Sequence, residues 1–506
     1  MFGVHLTMIA SQTSKALRPP YSRHASYFTA RSGALLIFTG FAFTATRLWH
    51  LTSYGLFGDE VFTLWTSAQD WRSLFASVIG DVAHPPLFYA LLKVWINIGG
   101  QSILWLKLLP ALLSIASILP FVLLCKEIGL KPNLTSFALF LMAVNGFLIN
   151  HAQELRMYSL VLLLTICSMW LFFKLACSDT GGPKIQAALW VVNLLLVFSH
   201  YYGWLVVIIE LVCLLIWKRS LARLFSAGAA LLGLCFAPWV YVVAKAAREN
   251  PSRLDFAWNR PPAASEIVGY FANLSGPLAY RLRILGPGLV LFVFLAPVIV
   301  WGWRTIKRQR DREEHNSGFW WLVLFAFGPV AFAFVASRAL PQSVWAFRYL
   351  IVAAPAYFLL ITPALFMLRD RRVRVALIVL VLGWSCLSGF TEMIDRDKIA
   401  WQPLVERMIQ AESEQTNIAV YVTDANIGNT IQFYLDGAGD SRFSISHVAD
   451  WQTLDDDRFW AALIRYKHEV GPLLQDALKV RGYDLTRTIE AEASGHRAVL
   501  FRVSKR

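Results

Sequence analysis

Residues able to do acid–base or anion chemistry are sparse in this 506-residue chain and fall in a few short stretches. LFGDEVFTLW sets the carboxylates Asp59 and Glu60 side by side, and DVAHPPLFYALLKVW brings Asp81 and His84 up to Pro85 and Pro86. HAQELRMYSL carries Glu154, Arg156 and Tyr158, FSHYYGW carries His200, Tyr201 and Tyr202, and SVWAFRYLIVAAP carries Arg348 and Tyr349. A carboxylate takes a proton from an attacking hydroxyl, and arginine forks match the oxygens of a departing phosphate. Displacement of a phosphate from a sugar carbon needs both. In that chemistry Asp59 is the base, with Glu60 beside it.

Each stretch also has a plainer use. Asp59 and Glu60 suit a helix N-terminus, where the macrodipole favours acids. Pro85 and Pro86 start a helix, so His84 is either a structural residue at its entrance or a group that orients a carboxylate, binds phosphate or ligates a metal. Glu154, Arg156 and Tyr158 alternate at period two, so an extended segment points all three one way and a helix scatters them. Tyr201 and Tyr202 fit an ordinary aromatic belt at a membrane edge, and Arg348 fits a snorkelling anchor as well as it fits a phosphate site.

The elements that must hold these groups are apolar. The chain is 57% hydrophobic and 16% charged, with a mean hydropathy of +0.50, outside the usual range of soluble domains. Apolar runs of about 20 residues, the length that crosses a bilayer, recur from Gly33 almost to Phe390 and then stop. The net charge of +14 does not point to nucleic acid, because the basic residues cluster in short loops between apolar runs, where they set orientation. The six cysteines lie within or at the ends of apolar runs and imply neither disulfides nor a zinc site.

With the basic leader, 1–32, in the cytoplasm and its apolar sequel retained as the first helix, alternate loops carry the excess of Lys and Arg. Examples are Lys126 and Lys131, then Lys218, Arg219 and Arg223, then Arg304 to Arg312, then Arg369 to Arg374. This walk gives about eleven spans over 33–390, provided that Pro86–Ile98, too short to cross, lies along the outer interface. The outer loop 51–101 then bears the acidic pair, and the other distinctive polar residues fall on the same face. The remainder, 391–506, is polar. Its strand-like runs NIAVYV and RAVLFRV and the helical HEVGPLLQDALKV predict a small extracytoplasmic α/β domain.

GDE, HPPLFY, QELRMYSL, SHYYG and FRYL, in that order, resemble the multi-pass GT-C glycosyltransferases of the protein O-mannosyltransferase-like family 39, whose relatives include bacterial transferases that modify lipid A. The resemblance spans Gly33 to about Phe390 and not the tail. It implies an α-helical polytopic membrane protein of GT-C type, in the cell inner membrane, with an extracytoplasmic active site. It implies transfer of a sugar, with inversion, from a polyprenyl-phosphate donor to a lipid, glycan or protein acceptor. Asp59 matches the family's catalytic base, with Glu60 next to it, and Arg156 and Arg348 match arginines that hold lipid phosphate. Where the aminoarabinose transferases of lipid A have an arginine after the acidic pair and an acid before lysine-proline, this chain has Phe62 and His84.

The expected binding set is thus His84, Glu154, Arg156, Tyr158, His200, Tyr201, Arg348 and Tyr349, with Asp59 and Glu60 catalytic. No cofactor is required. A divalent metal is compatible, with His84 and His200 as candidate ligands. The rival reading is a carrier or flippase for a lipid-linked anion, which also calls for outer arginines and many spans, but internal repeats and broken midplane helices are not seen.

Overall fold

A computed structural model describes residues 30–177, 182–249, 260–278, 286–312, 317–394, 399–412, 417–422, 424–448, 454, 456–466, 478, 480–493 and 496–506. The leader's basic residues before Ala30, Arg253, Arg281, Arg283 and most of HEVGPLLQDALKV lie outside them. Two compact units are present. The first takes in 1–49, 71–91 and 108–393; the second takes in 50–70, 92–107 and 394–506.

The first unit is helical. Among the described residues, seven helices are long and apolar enough to cross a membrane, or eight if the bent pair Pro132–Ala143 and Gly146–Ala152 is one span. The protein is a multi-pass membrane protein. The difference from the expected eleven lies in elements below that threshold, including Pro183–Ser199 and Gly203–Trp217, which are apolar but shorter. Leu87–Gly99, 13 residues long, reaches only about 20 Å at 1.5 Å per residue, less than the bilayer's hydrocarbon core.

Burial separates the helices. The run Phe347–Phe366, a 3-10 turn leading into Ala354–Phe366, is almost wholly enclosed, whereas Arg219–Glu249 and Arg371–Ile394 leave most of their surface uncovered. Enclosed helices are apolar all round and uncovered ones face lipid. The 65° bend between Pro132–Ala143 and Gly146–Ala152 has identifiable causes. The buried Arg47 donates to the last carbonyls of the first helix, Ala143 O at 2.5 Å and Met142 O at 2.8 Å. Asn145 then caps the second by accepting from Leu148 N at 3.0 Å. Deeper in the bundle, Ser168, Asn193 and Glu210 form a closed hydrogen-bonded ring with contacts of 2.6–2.8 Å and are fully enclosed.

The second unit contains a five-stranded sheet, β1 (Ile418–Val422), β2 (Phe443–His447), β3 (Arg458–Tyr466), β4 (Tyr483–Ala493) and β5 (His496–Lys505), in the order β2-β1-β3-β5-β4. β1 is parallel to β2 and β3, and β5 is antiparallel to β3 and β4. NIAVYV and RAVLFRV are strands, as the sequence predicts. Alternation explains why RAVLFRV is so continuously apolar. Ala498 and Leu500 pack with Trp460 and the helices Trp401–Ala411 and Ala425–Ala438, while Val499, Phe501 and Val503 pack with Phe459 and Tyr483 on the other face. Glu412 ties the layers, accepting from Arg502 at 2.5 and 2.8 Å and from Trp460 Nε1 at 3.1 Å.

Candidate active site

In the second unit, Gly58–Ala68 is the helix that follows the non-helical stretch Gly55, Leu56 and Phe57, so Asp59 and Glu60 occupy its first turn, as the macrodipole favours. Glu60 is 3% exposed. Its Oε1 lies 3.8 Å from Nζ of the equally enclosed Lys107, which also donates to Tyr54 O at 2.7 Å. Its other oxygen accepts from Phe57 N at 3.4 Å, a long bond closing the turn. Asp59 is half-buried. Glu60 is thus engaged inside the protein, and of the pair it is Asp59 that keeps access to solvent. Lys107 carries a signal that the sequence reading passed over: an ionisable residue inside an apolar run demands a partner.

The first unit gathers most of the other candidates. His84 sits in the turn between Trp71–Asp81 and Leu87–Gly99, Arg156 in the non-helical link before Tyr158–Cys177, His200 at the end of Pro183–Ser199, and Arg348 and Tyr349 at the start of the 3-10 turn. Nη2 of Arg156 lies 3.4 and 3.5 Å from the two ring nitrogens of His84. The rings of His84 and His200 are 5.5 Å apart, that of Tyr349 lies 4.7 Å from His200 and 6.0 Å from His84, and the Arg348 guanidinium is 5.5 Å from the Tyr349 ring centre.

This arrangement fixes protonation. Burial, reinforced by Arg156 and Arg348, pushes the His200 imidazolium down to about 3, and His84 is driven well below its usual value by burial, then by Arg156, His200 and Arg348. Both rings are therefore neutral at pH 7. Nδ1 of His200 accepts from Tyr202 N at 3.1 Å, which leaves the proton on Nε2. Two permanently charged guanidiniums around two neutral, enclosed rings make a cationic recess suited to an anion.

The link at 153–157 is neither extended nor helical. It is a string of turns, anchored where Gln153 Nε2 donates to Arg47 O at 2.8 Å and Trp49 O at 2.9 Å. Within it Glu154 turns back to Nδ1 of His151 at 2.7 Å, and Tyr158 packs against His151 with ring centres 4.9 Å apart. Nothing in the sequence singled out His151. The Tyr158 hydroxyl is buried with no hydrogen-bond partner among the described residues, a group that a ligand could satisfy. Tyr201 donates to Val82 O at 2.8 Å and accepts from Trp239 Nε1 at 3.1 Å, so its hydroxyl holds the turn bearing His84. Val82 has φ +48°, a strained backbone for a β-branched residue. The strain sits two residues from His84, and the Tyr201 bond helps to hold it.

As for a metal, His84 and His200 stand near one another, but among the described residues no group of three or more His, Cys, Asp or Glu converges. A guanidinium against His84 is also the wrong neighbour for a divalent cation.

No protein-family model matches the chain, and no curated protein sequence matches it. Solved structures do. ArnT from Cupriavidus metallidurans in the apo state aligns at a TM-score of 0.55 and 14% identity over 93% of this chain and 98% of its own. The same protein bound to undecaprenyl phosphate aligns at 0.50 and 14%, over 93% and 97%. At such identity the likeness speaks to architecture: the chain has the GT-C fold, a helical membrane bundle with a small C-terminal sheet domain.

Proposed function

We propose that the protein is a glycosyltransferase of the cell inner membrane that takes a sugar from a polyprenyl-phosphate donor and passes it to a lipid, glycan or protein acceptor on the extracytoplasmic face. The observation that carries this reading is the cluster in which the buried Arg156 and the half-buried Arg348 lie beside the neutral rings of His84 and His200. A water-poor, doubly cationic site beside apolar spans suits the headgroup of a lipid phosphate. A GT-C fold is in keeping with it, and so is the undecaprenyl phosphate bound by ArnT from Cupriavidus metallidurans.

In the proposed step the acceptor hydroxyl oxygen attacks the anomeric carbon from the side opposite the phosphate, with inversion. The new C–O bond forms as the bond to the phosphate oxygen breaks, and the electron pair leaves on that oxygen. Asp59 receives the hydroxyl proton. Arg156 and Arg348 stabilise the negative charge that grows on the phosphate, so no separate acid is needed. His200 Nε2–H and the Tyr158 hydroxyl supply neutral donors to the same anion, and Tyr349 walls the recess. Glu60 acts by holding its helix turn, Glu154 by orienting His151, and Tyr201 by holding the His84 turn.

The direct test is lipid binding. Purified protein in detergent is titrated with undecaprenyl phosphate and with undecaprenol. The phosphate binds at least about tenfold more tightly, and Arg156→Gln removes that preference, since a charge-assisted hydrogen bond contributes about 1.5–3 kcal/mol. Equal affinity for phosphate and alcohol would defeat the proposal.

A further inference from the structure

We propose that the C-terminal domain is the positioning element for Asp59, and that Thr430 supplies the N-cap that the Asp59 helix lacks. This rests on the reading of Asp59 as the base. Helices begin with donors that need acceptors, and Ser, Thr, Asp or Asn at the N-cap normally provides one. Here the N-cap is Phe57, which has none to offer. Instead Gly58 N donates to Thr430 Oγ1 at 2.8 Å, across 372 positions of sequence. Thr430 uses its own hydrogen on Asn426 O at 2.6 Å, which leaves a lone pair for Gly58.

The residues leading into Asp59 are held by the same domain. Tyr434 donates to Leu56 O at 3.0 Å, and the ring of Phe57 stacks on Trp401 with centres 6.1 Å apart and planes 8° from parallel. Gly58 has φ +25°, and a Cβ there would stand 2.7 Å from Asn426 Cβ. A Cβ on Gly55 would stand 1.9 Å from the Tyr434 hydroxyl. Gly55, Leu56, Phe57 and Gly58 thus form one continuous seam against Ala425–Ala438 and Trp401. The orientation of the first turn of Gly58–Ala68, and of the carboxylate on it, is set from the tail.

A base displaced by about 1 Å loses on the order of a hundredfold in rate, so loosening one bond of this seam lowers turnover while leaving donor binding intact. Full-length protein in detergent is assayed for transfer from a panel of polyprenyl-phosphate-linked sugars to envelope lipid, with hydrogen exchange measured over 56–61. Thr430→Val lowers kcat about tenfold, leaves the donor KM within about twofold, and raises exchange of those amides about tenfold. Thr430→Ser restores kcat and exchange, which a general packing defect would not allow.

Wild-type kcat and exchange in Thr430→Val, with Asp59→Ala inactive, would overturn the positioning role alone. A loss in Thr430→Val that Thr430→Ser fails to recover would do the same. Wild-type transfer by Asp59→Ala would overturn the base assignment and the positioning role with it. Absence of transfer by wild type from every donor would overturn the proposed function, and this inference with it.

Discussion

Lys107→Met tests how the acidic turn is built. Glu60 and Lys107 are almost fully enclosed and 3.8 Å apart. At an effective dielectric constant of about 20 their Coulomb attraction is roughly 4 kcal/mol, the same order as the desolvation it offsets. Intact, the pair therefore adds little net stability. Lys107→Met takes the cation away and leaves a carboxylate enclosed, which costs about 3–5 kcal/mol. Glu60→Gln leaves the ammonium in the same position and costs a similar amount. In Glu60→Gln/Lys107→Met neither charge remains, so the double variant is less destabilised than the sum of the singles by at least about 2 kcal/mol. The assay is a double-mutant cycle on the opening free energy of 58–68 by hydrogen exchange, in full-length protein. Additivity within about 0.5 kcal/mol would refute the reasoning. A functional arm separates the two carboxylates: Glu60→Gln keeps measurable sugar transfer, whereas Asp59→Ala has none.

Other consequences follow from the recess and the bundle. The His200 pKa of about 3 in the folded protein stands against 6.5 as its ordinary value. Between those values the unfolded chain binds more protons, so stability is complete above about pH 6.5 and falls as the pH drops toward 3. His200→Gln flattens that slope in pH-dependent unfolding, and an unchanged slope would assign it elsewhere. Arg156→Lys keeps the charge but loses the fork, so undecaprenyl phosphate affinity falls about tenfold; wild-type affinity would show that charge alone suffices. Glu210→Leu strands Asn193 Nδ2, while Ser168 Oγ keeps Asn193 Oδ1 as its acceptor, and lowers stability by about 1–3 kcal/mol, read as a drop in the thermal midpoint, whereas Glu210→Gln lowers it less. An unchanged midpoint in Glu210→Leu would contradict the closed ring.

Much of this was legible in the sequence, for physical reasons. Apolar runs report membrane spans directly because a bilayer permits few alternatives, and short apolar runs rich in β-branched and aromatic residues marked NIAVYV and RAVLFRV as strands. The motifs carrying His84, Arg156, His200 and Arg348 stood out because polar residues at the ends of apolar runs are costly to keep. What escaped was long-range pairing. The ion pair of Glu60 was invisible because Lys107 is 47 positions away and hidden in an apolar run. The partners of Glu154 and Tyr201 were invisible because side chains that reach back to His151 and Val82 leave no periodic trace. The tie between the tail and the acidic turn was invisible because no local pattern joins Thr430 to Gly58. The number of spans drifted for a simpler reason: short apolar helices such as Pro183–Ser199 straddle any length threshold.

The central claim is sugar transfer with Asp59 as the base. Wild type and Asp59→Ala, purified in detergent, are incubated with radiolabelled polyprenyl-phosphate sugars and crude envelope lipid. Label moves to acceptor with wild type and not with Asp59→Ala, although both bind undecaprenyl phosphate. Equal transfer by the two proteins would contradict the assignment of the base, and binding of the lipid phosphate with no transfer from any donor would point instead to a carrier of lipid-linked anions.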